Sequence, residues 1–242
     1  LFVLGIEAAT QVAAVAVVCG ERLVAERLVN NQRTHSANLL PMLKGVMEDA
    51  QVGHRDLGGI AVSAGPGSFT GLRIGMATAK TLAQAWGLPV VGVGTLEALA
   101  YALWGREGLI CPVLHAKRGE VYAALYRTAK EGLLLVEGPM ALSPPDLAQK
   151  LLEAGLPVTV TGDGALMHRE LLQGRLKDRI SFAPESLMWP RAAHVAALGY
   201  RRLMQNKGCN PLELLPDYVR PSEAEIKWLQ KQGLKRCETL WK

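Results

Sequence analysis

One order of elements, three short strands followed by alternating helices and strands, runs along this chain twice, and that duplication most restricts its fold. Apolar residues cluster at 3–8, 12–18 and 22–28 around the turns 9–11 and 19–21, a pattern of two successive hairpins. Ser36 is placed to cap a helix to about residue 50, in which Leu39, Leu40, Leu43, Val46 and Met47 recur at helical spacing and Pro41 falls in the first turn. A strand at 60–64, a helix over 69–86, a strand at 90–93 and a helix from Thr95 complete βββαβαβα. The second series has strands at 109–116, 121–126 and 133–142, and a helix to Glu153 opened by Ser143. A strand at 157–161, a helix at 165–173, a strand at 179–182 and a helix at 191–206 follow. The expectation is an α/β protein with lobes at 1–104 and 105–215 and a further segment at 216–242. Its 242 residues, 49% hydrophobic, suffice for a large core, and with no low-complexity linker the lobes should pack closely.

Residues 63–75, SAGPGSFTGLRIG, turn the chain from a strand into a helix. Gly65 and Gly67 permit positive φ or close backbone approach, Pro66 fixes its own φ, and Ser68 or Thr70 can cap the helix. Helix amides facing such a loop suit an anion; a purely structural turn accounts for the same residues. The spacing of Gly65, Gly67 and Gly71 does not make GxGxxG, and no Lys-Ser/Thr completes a P-loop. GxSxG is absent, and no base is identified for Ser63 or Ser68.

The segment GPGSFTGLRIG, followed by MATAKTLA, resembles the signature of the TsaB (YeaZ) family of tRNA threonylcarbamoyladenosine biosynthesis. GIEAAT at 5–10, AKRGEVY at 116–122 and PDYVRP at 216–221 fit in that family's order, so the resemblance covers nearly the whole chain. It implies the actin-like ATPase superfamily (ASKHA, Hsp70 and sugar-kinase type), built of duplicated ribonuclease H-like lobes with nucleotide between them where nucleotide binds. In that superfamily a first-strand carboxylate and the next turn face phosphate and magnesium, which here brings Glu7 and Thr10 forward. Gly162, Asp163 and Gly164 match the second lobe's nucleotide turn, although a plain turn explains them equally. The longer Glu7 in place of aspartate disturbs an octahedral magnesium site, so no tightly bound cofactor is expected, and at most weak ATP or ADP with Mg.

The resemblance further implies a noncatalytic paralogue of TsaD. That enzyme family's HxxxH ligand positions align with Thr95 and Leu99 here, and its later aspartate with Pro190. No catalytic or metal residue is therefore expected, and no two histidines stand three or four apart. His115 at a strand end is a polar residue to follow. The implied partners are a TsaD-type subunit, a TsaE-type ATPase, a second copy of the chain, and tRNA through the complex, with adenosine 37 of tRNAs reading codons that begin with A as the modified base. In the family two helices pair with a partner as a four-helix bundle, and the stripes Leu39, Leu43, Met47 and Gly71, Leu72, Gly75, Met76, Ala79 are the expected contacts. The alternatives are a small-molecule phosphotransferase, which needs tight magnesium-ATP, and a metalloprotease, which needs the missing ligands.

The net charge of +5 sits mainly in residues 201–242, with nine Lys/Arg against five Asp/Glu. Ser222 and Glu225 form a capping box for a helix ending near Gly233. Lys227, Trp228, Lys231, Lys235 and Arg236 would then be a solvated face or a single-strand contact. Cys19, Cys111, Cys209 and Cys237 make no CxxC pair, which suits reduced thiols. No apolar run reaches membrane-spanning length, and LFVLGIEA has neither a basic start nor a cleavage pattern, so a cytoplasmic location is expected.

Overall fold

The computed structural model describes residues 1–31 and 34–219. In the first repeat β1 (Phe2–Glu7), β2 (Ala13–Cys19) and β3 (Arg22–Val29) pair antiparallel. Then come α1 (His35–Ala50), β4 (Leu57–Gly65), α2 (Phe69–Trp86), β5 (Val90–Gly94) and α3 (Thr95–Tyr101). The second repeat has β6 (Leu109–His115), β7 (Val121–Ala129), β8 (Gly132–Leu142), α4 (Pro144–Glu153) and β9 (Val158–Thr161). It closes with α5 (Asp163–Met167), α6 (Arg169–Leu176), β10 (Ile180–Phe182) and α7 (Ala192–Met204). The sheets run β3-β2-β1-β4-β5 and β10-β9-β6-β7-β8, one topology read in opposite directions. The duplication is thus present in both element order and strand pairing.

Strands β1, β2 and β4 are buried almost end to end, as continuous Val, Ile, Leu and Ala runs require when both sheet faces are covered. One face of the first sheet, with Leu4, Ile6, Val15 and Val17, packs on Leu39 and Val46 of α1 and on Met76 and Ala83 of α2. Its other face, with Val3, Val18, Ala61 and Val91, packs on Val195, Ala196 and Leu198 of α7. Helix α3 does the converse: Leu96, Leu99 and Ala100 pack on Ile110, Leu114 and Ala124 of the second sheet. Each repeat therefore gives its last helix to the other repeat's sheet. Gly5 is needed where α7 crosses, because a Cβ there would lie 2.5 Å from Ala192 O.

The chain then returns to the first sheet. Val90 and Cys209 exchange backbone hydrogen bonds of 3.2 and 2.9 Å, Asp217 N donates to Ala64 O at 2.7 Å, and Lys80 Nζ donates to Leu214 O at 2.9 Å. So although the repeats divide in sequence near residue 104, α7 and residues 209–217 lie with the first sheet.

Three local expectations need correction. Thr34, not Ser36, is the N-cap of α1, and Pro41 falls in the second turn. Pro41 is tolerated because Ala37, whose carbonyl loses its intrahelical donor, is exposed. The helix expected at 165–173 is two helices, broken at His168, whose φ of −109° and ψ of 23° leave the helical region. Cys19, Cys111 and Cys209 are free thiols. The expected helix from Ser222, the basic cluster around Trp228, and Cys237 lie outside the described residues.

Candidate functional site

The glycine-rich loop between β4 and α2 folds onto the β1–β2 turn. Ser68 N donates to Ala9 O at 2.7 Å, and Ser68 Oγ accepts from Gly71 N at 3.3 Å as the N-cap of α2. A Cβ on Gly67 would overlap Ala9 O, and one on Gly71 would overlap Ala8 O. These glycines admit backbone-to-backbone contact, and the Ser68 and Gly71 amides have partners within the chain.

Beneath the loop, Glu7 is fully buried. Its Oε1 accepts from Ala9 N at 2.6 Å, while Oε2 has no partner. Burial raises its pKa from an ordinary 4.5 to about 7, against the smaller lowering effects of the Ser63 hydroxyl and the Ala9 amide. Thr10 is also buried: its Oγ1 accepts from Val12 N at 3.2 Å, and its carbonyl accepts from His35 Nε2 at 2.8 Å. A magnesium-nucleotide group does not fit these residues as they stand. The carboxyl is sealed from solvent with its pKa raised to about 7, and the Ala9 amide and the Thr10 hydroxyl are engaged within the turn.

The second-lobe residues form an equally tight turn at the end of β9. Gly162 has φ 104°, and a Cβ on it would overlap Val113 O. Asp163 Oδ1 accepts from His115 N at 2.9 Å and Gly164 N at 2.8 Å. Its carboxylate thus ties β6 to α5. His115 is exposed at the end of β6; partial burial lowers the His168 pKa, with a smaller effect from the nearby His115 side chain.

The expected interface stripes face inward. Leu39, Leu43, Leu72, Met76 and Ala79 are at most 7% exposed, Gly71 and Gly75 are buried against β1, and Met47 is half-buried against the same core. This corrects their assignment as partner contacts, because the first sheet absorbs that side of both helices. Outward stand Leu40, Pro41 and Lys44 on α1, and Phe69, Arg73, Ala77 and Thr81 on α2. At one end Phe69 stacks on Tyr218 with centroids 5.2 Å apart, and the Arg73 guanidinium lies 4.0 Å from the Phe69 centroid while its Nε donates to Tyr218 Oη at 3.3 Å. Sequence reasoning missed this cluster, although all three residues belong to the two segments GPGSFTGLRIG and PDYVRP. Their joint presence was the signal that could have found it.

The positions that the resemblance sets against the metal ligands of TsaD are interior. Thr95, Leu99 and Pro190 are all buried. Among the described residues no group of three or more His, Cys, Asp or Glu side chains could hold a metal ion, and no helix is long and apolar enough to cross a membrane.

Two sheets of one topology with exchanged terminal helices define a chain of the actin-like ATPase class. A family model described as "TsaD: tRNA N6-adenosine threonylcarbamoyltransferase" matches residues 23–228. Over 231 residues the chain is 32% identical to the tRNA threonylcarbamoyladenosine biosynthesis protein TsaB of Bacillus subtilis, covering 95% of this chain and 99% of that protein. The Escherichia coli protein of the same description is 32% identical over 123 residues, 50% of this chain and 53% of its own. The solved structure "YeaZ from Pseudomonas aeruginosa" superposes with a TM-score of 0.75 at 25% identity, covering 90% of this chain and 99% of that one. Component A of the (R)-2-hydroxyglutaryl-CoA dehydratase of Acidaminococcus fermentans, with a TM-score of 0.50 at 12% identity over 84% of this chain and 99% of that one, shares the fold alone. The chain belongs to the TsaB (YeaZ) family.

Proposed function

We propose that this chain serves threonylcarbamoyladenosine formation on tRNA as a noncatalytic subunit. It supports a TsaD-type enzyme that transfers threonylcarbamoyl to adenosine 37 of tRNAs reading codons that begin with A, in a complex that also engages a TsaE-type ATPase. The observation that carries it is the match to TsaB of Bacillus subtilis over 95% of this chain, and buried Thr95, Leu99 and Pro190, at the positions that the resemblance sets against the metal ligands of TsaD, agree with it. No tightly held nucleotide takes part, because Glu7 is buried and already bonded to the Ala9 amide. The work is cytoplasmic and reaches tRNA through the complex.

The partner surface in this proposal is the outward side of α1 and α2. Leu40 is 56% exposed there, and Ala77 and Thr81 let another helix approach closely. A second copy of the chain would use the same face when the partner is absent. Copurification with a TsaD-type subunit, with threonylcarbamoyladenosine scored by mass spectrometry in a reconstituted reaction, tests it. Leu40→Glu and Ala77→Glu should stay folded yet lose both partner and product. Folded variants that retain the partner would move the interface elsewhere.

A further inference from the structure

The contacts among Phe69, Arg73 and Tyr218 fix the position of an exposed guanidinium at the start of α2. Arg73 lies over the Phe69 ring, 4.0 Å from its centroid, Tyr218 stacks on the same ring at 5.2 Å, and Arg73 Nε donates to Tyr218 Oη at 3.3 Å. Tyr218 is held in turn by the residue before it. Asp217 N donates to Ala64 O at 2.7 Å, and a Cβ on Gly65 would overlap Asp217 O, so the chain end lies directly on the glycine-rich loop. With Nε bonded and one face covered, the two Nη nitrogens of Arg73 form an open fork: among the described residues no hydrogen bond or ion pair engages them. Phe69 is 37% exposed and Arg73 is exposed, and contacts between such exposed groups add little to stability. Their effect is to order the guanidinium before anything binds it, which lowers the cost of binding.

The surroundings of the fork indicate what meets it. Arg73 stands on the outward stripe Phe69, Arg73, Ala77 and Thr81. The 18 residues of α2 include Arg73 and Lys80 and no Asp or Glu, and Lys80 Nζ is turned to the carbonyls of Leu212 and Leu214 at 3.4 and 2.9 Å. Arg73 is therefore the one charge on a stripe that is otherwise aromatic or small. A carboxylate accepts both Nη groups of such a fork at once, where an ammonium would offer a single point of charge. Ala77 and Thr81 leave room for a helix backbone beside it. A nucleic-acid strand is the poorer match, because it needs cations recurring along the surface for successive phosphates.

We propose that Phe69, Arg73 and Tyr218 anchor the partner surface: Arg73 takes a carboxylate carried by a partner helix, and Tyr218 is the positioning residue that holds the guanidinium for it. The partner's identity as a TsaD-type subunit rests on the proposed function; the carboxylate rests on the cluster and on the charge of α2. Titration calorimetry of the full chain with a TsaD-type subunit tests it. Arg73→Gln should weaken binding about tenfold or more, and Arg73→Lys should not restore it, because the fork is lost. Tyr218→Phe, which removes only the hydroxyl that holds Nε, should weaken binding about threefold with its thermal melt unchanged. Arg175→Gln, which removes the same charge from the exposed side of α6, should bind as wild type. Leu40→Glu separates this inference from the proposed function. If it abolishes binding while Arg73→Gln and Tyr218→Phe bind as wild type, the partner surface stands and the anchor is overturned. Loss in the Arg73 and Tyr218 variants with Leu40→Glu unaffected would keep the anchor and remove α1 from the surface. No binding by the wild type would overturn both. Binding of a labelled oligouridine by the isolated chain that Arg73→Gln abolishes would assign the cluster to RNA and equally overturn the anchor.

Discussion

The Glu7 carboxyl holds the β1–β2 turn by accepting the Ala9 amide at 2.6 Å, and its second oxygen is buried without a partner. With its pKa at about 7 rather than 4.5, the folded protein keeps a proton that the unfolded chain releases between those values. Stability from this group is full below pH 4.5, falls as pH rises toward 7, and stays low above it. The displacement corresponds to roughly 3 kcal/mol. Glu7→Gln removes the titration, so its stability relative to wild type should rise across that window and level off by about pH 8. Urea unfolding at a series of pH values measures this; parallel pH profiles for the two proteins would contradict it.

The motif glycines make a prediction whose sign runs against helix propensity. Alanine in place of glycine inside a helix ordinarily gains up to ~1 kcal/mol. At Gly71 the new methyl would overlap Ala8 O and lie 3.2 Å from the His35 ring, with backbone as the immovable neighbour. Gly71→Ala should therefore lose about 1–3 kcal/mol as an overpacked site. At Gly174 in α6 an added Cβ meets nothing within 4 Å, so Gly174→Ala should gain about 0.5–1 kcal/mol. Thermal melts of both variants decide it, and a Gly71→Ala melt at or above wild type would remove the close-contact account of the motif.

The element order was legible because turn chemistry and apolar period agree along this chain: Ser68 and Ser143 cap the helices that the pattern predicts at their positions. The direction of the α1 and α2 stripes was not. Spacings of three and four show that Leu72, Met76 and Ala79 share a side, but not whether a sheet or a partner meets it; that depends on the register of β1 against β4, set by pairs such as Ile6 with Val62. The helix exchange was hidden for a similar reason, because α7 is apolar on one side whichever sheet it covers. Glu7 was found as a strand-end carboxyl, but its burial follows from packing of a loop sixty residues away, which no local pattern encodes.

Leu72 tests the corrected orientation. It is 1% exposed, so Leu72→Glu places an unpaired carboxylate in the core and should cost several kcal/mol, on the order of enough to unfold a domain of ordinary stability. Leu72→Ala should cost about 2–5 kcal/mol and remain foldable. Circular dichroism with urea titration reads both. A Leu72→Glu protein that unfolds cooperatively near the wild-type midpoint would restore the outward assignment.

The exchanged helices bear on how the repeats fold. A fragment of residues 1–104 would keep α3, whose Leu96, Leu99 and Ala100 have their partners on the second sheet, and would lose α7, which covers Val3, Ala61 and Val91. The complementary fragment of residues 105–219 would carry α7 without its sheet and leave Ile110, Leu114 and Ala124 uncovered. Burial of such side chains contributes roughly 1.5–3 kcal/mol each, so losing either helix removes an amount comparable to the whole stability of a small domain. Neither fragment should show a cooperative thermal transition alone. Mixed or coexpressed, the two should associate and regain one transition, because the missing helix of each is supplied by the other. A cooperative melt of the isolated 1–104 fragment would show that α7 is dispensable to the first sheet and that the repeats are independent folding units.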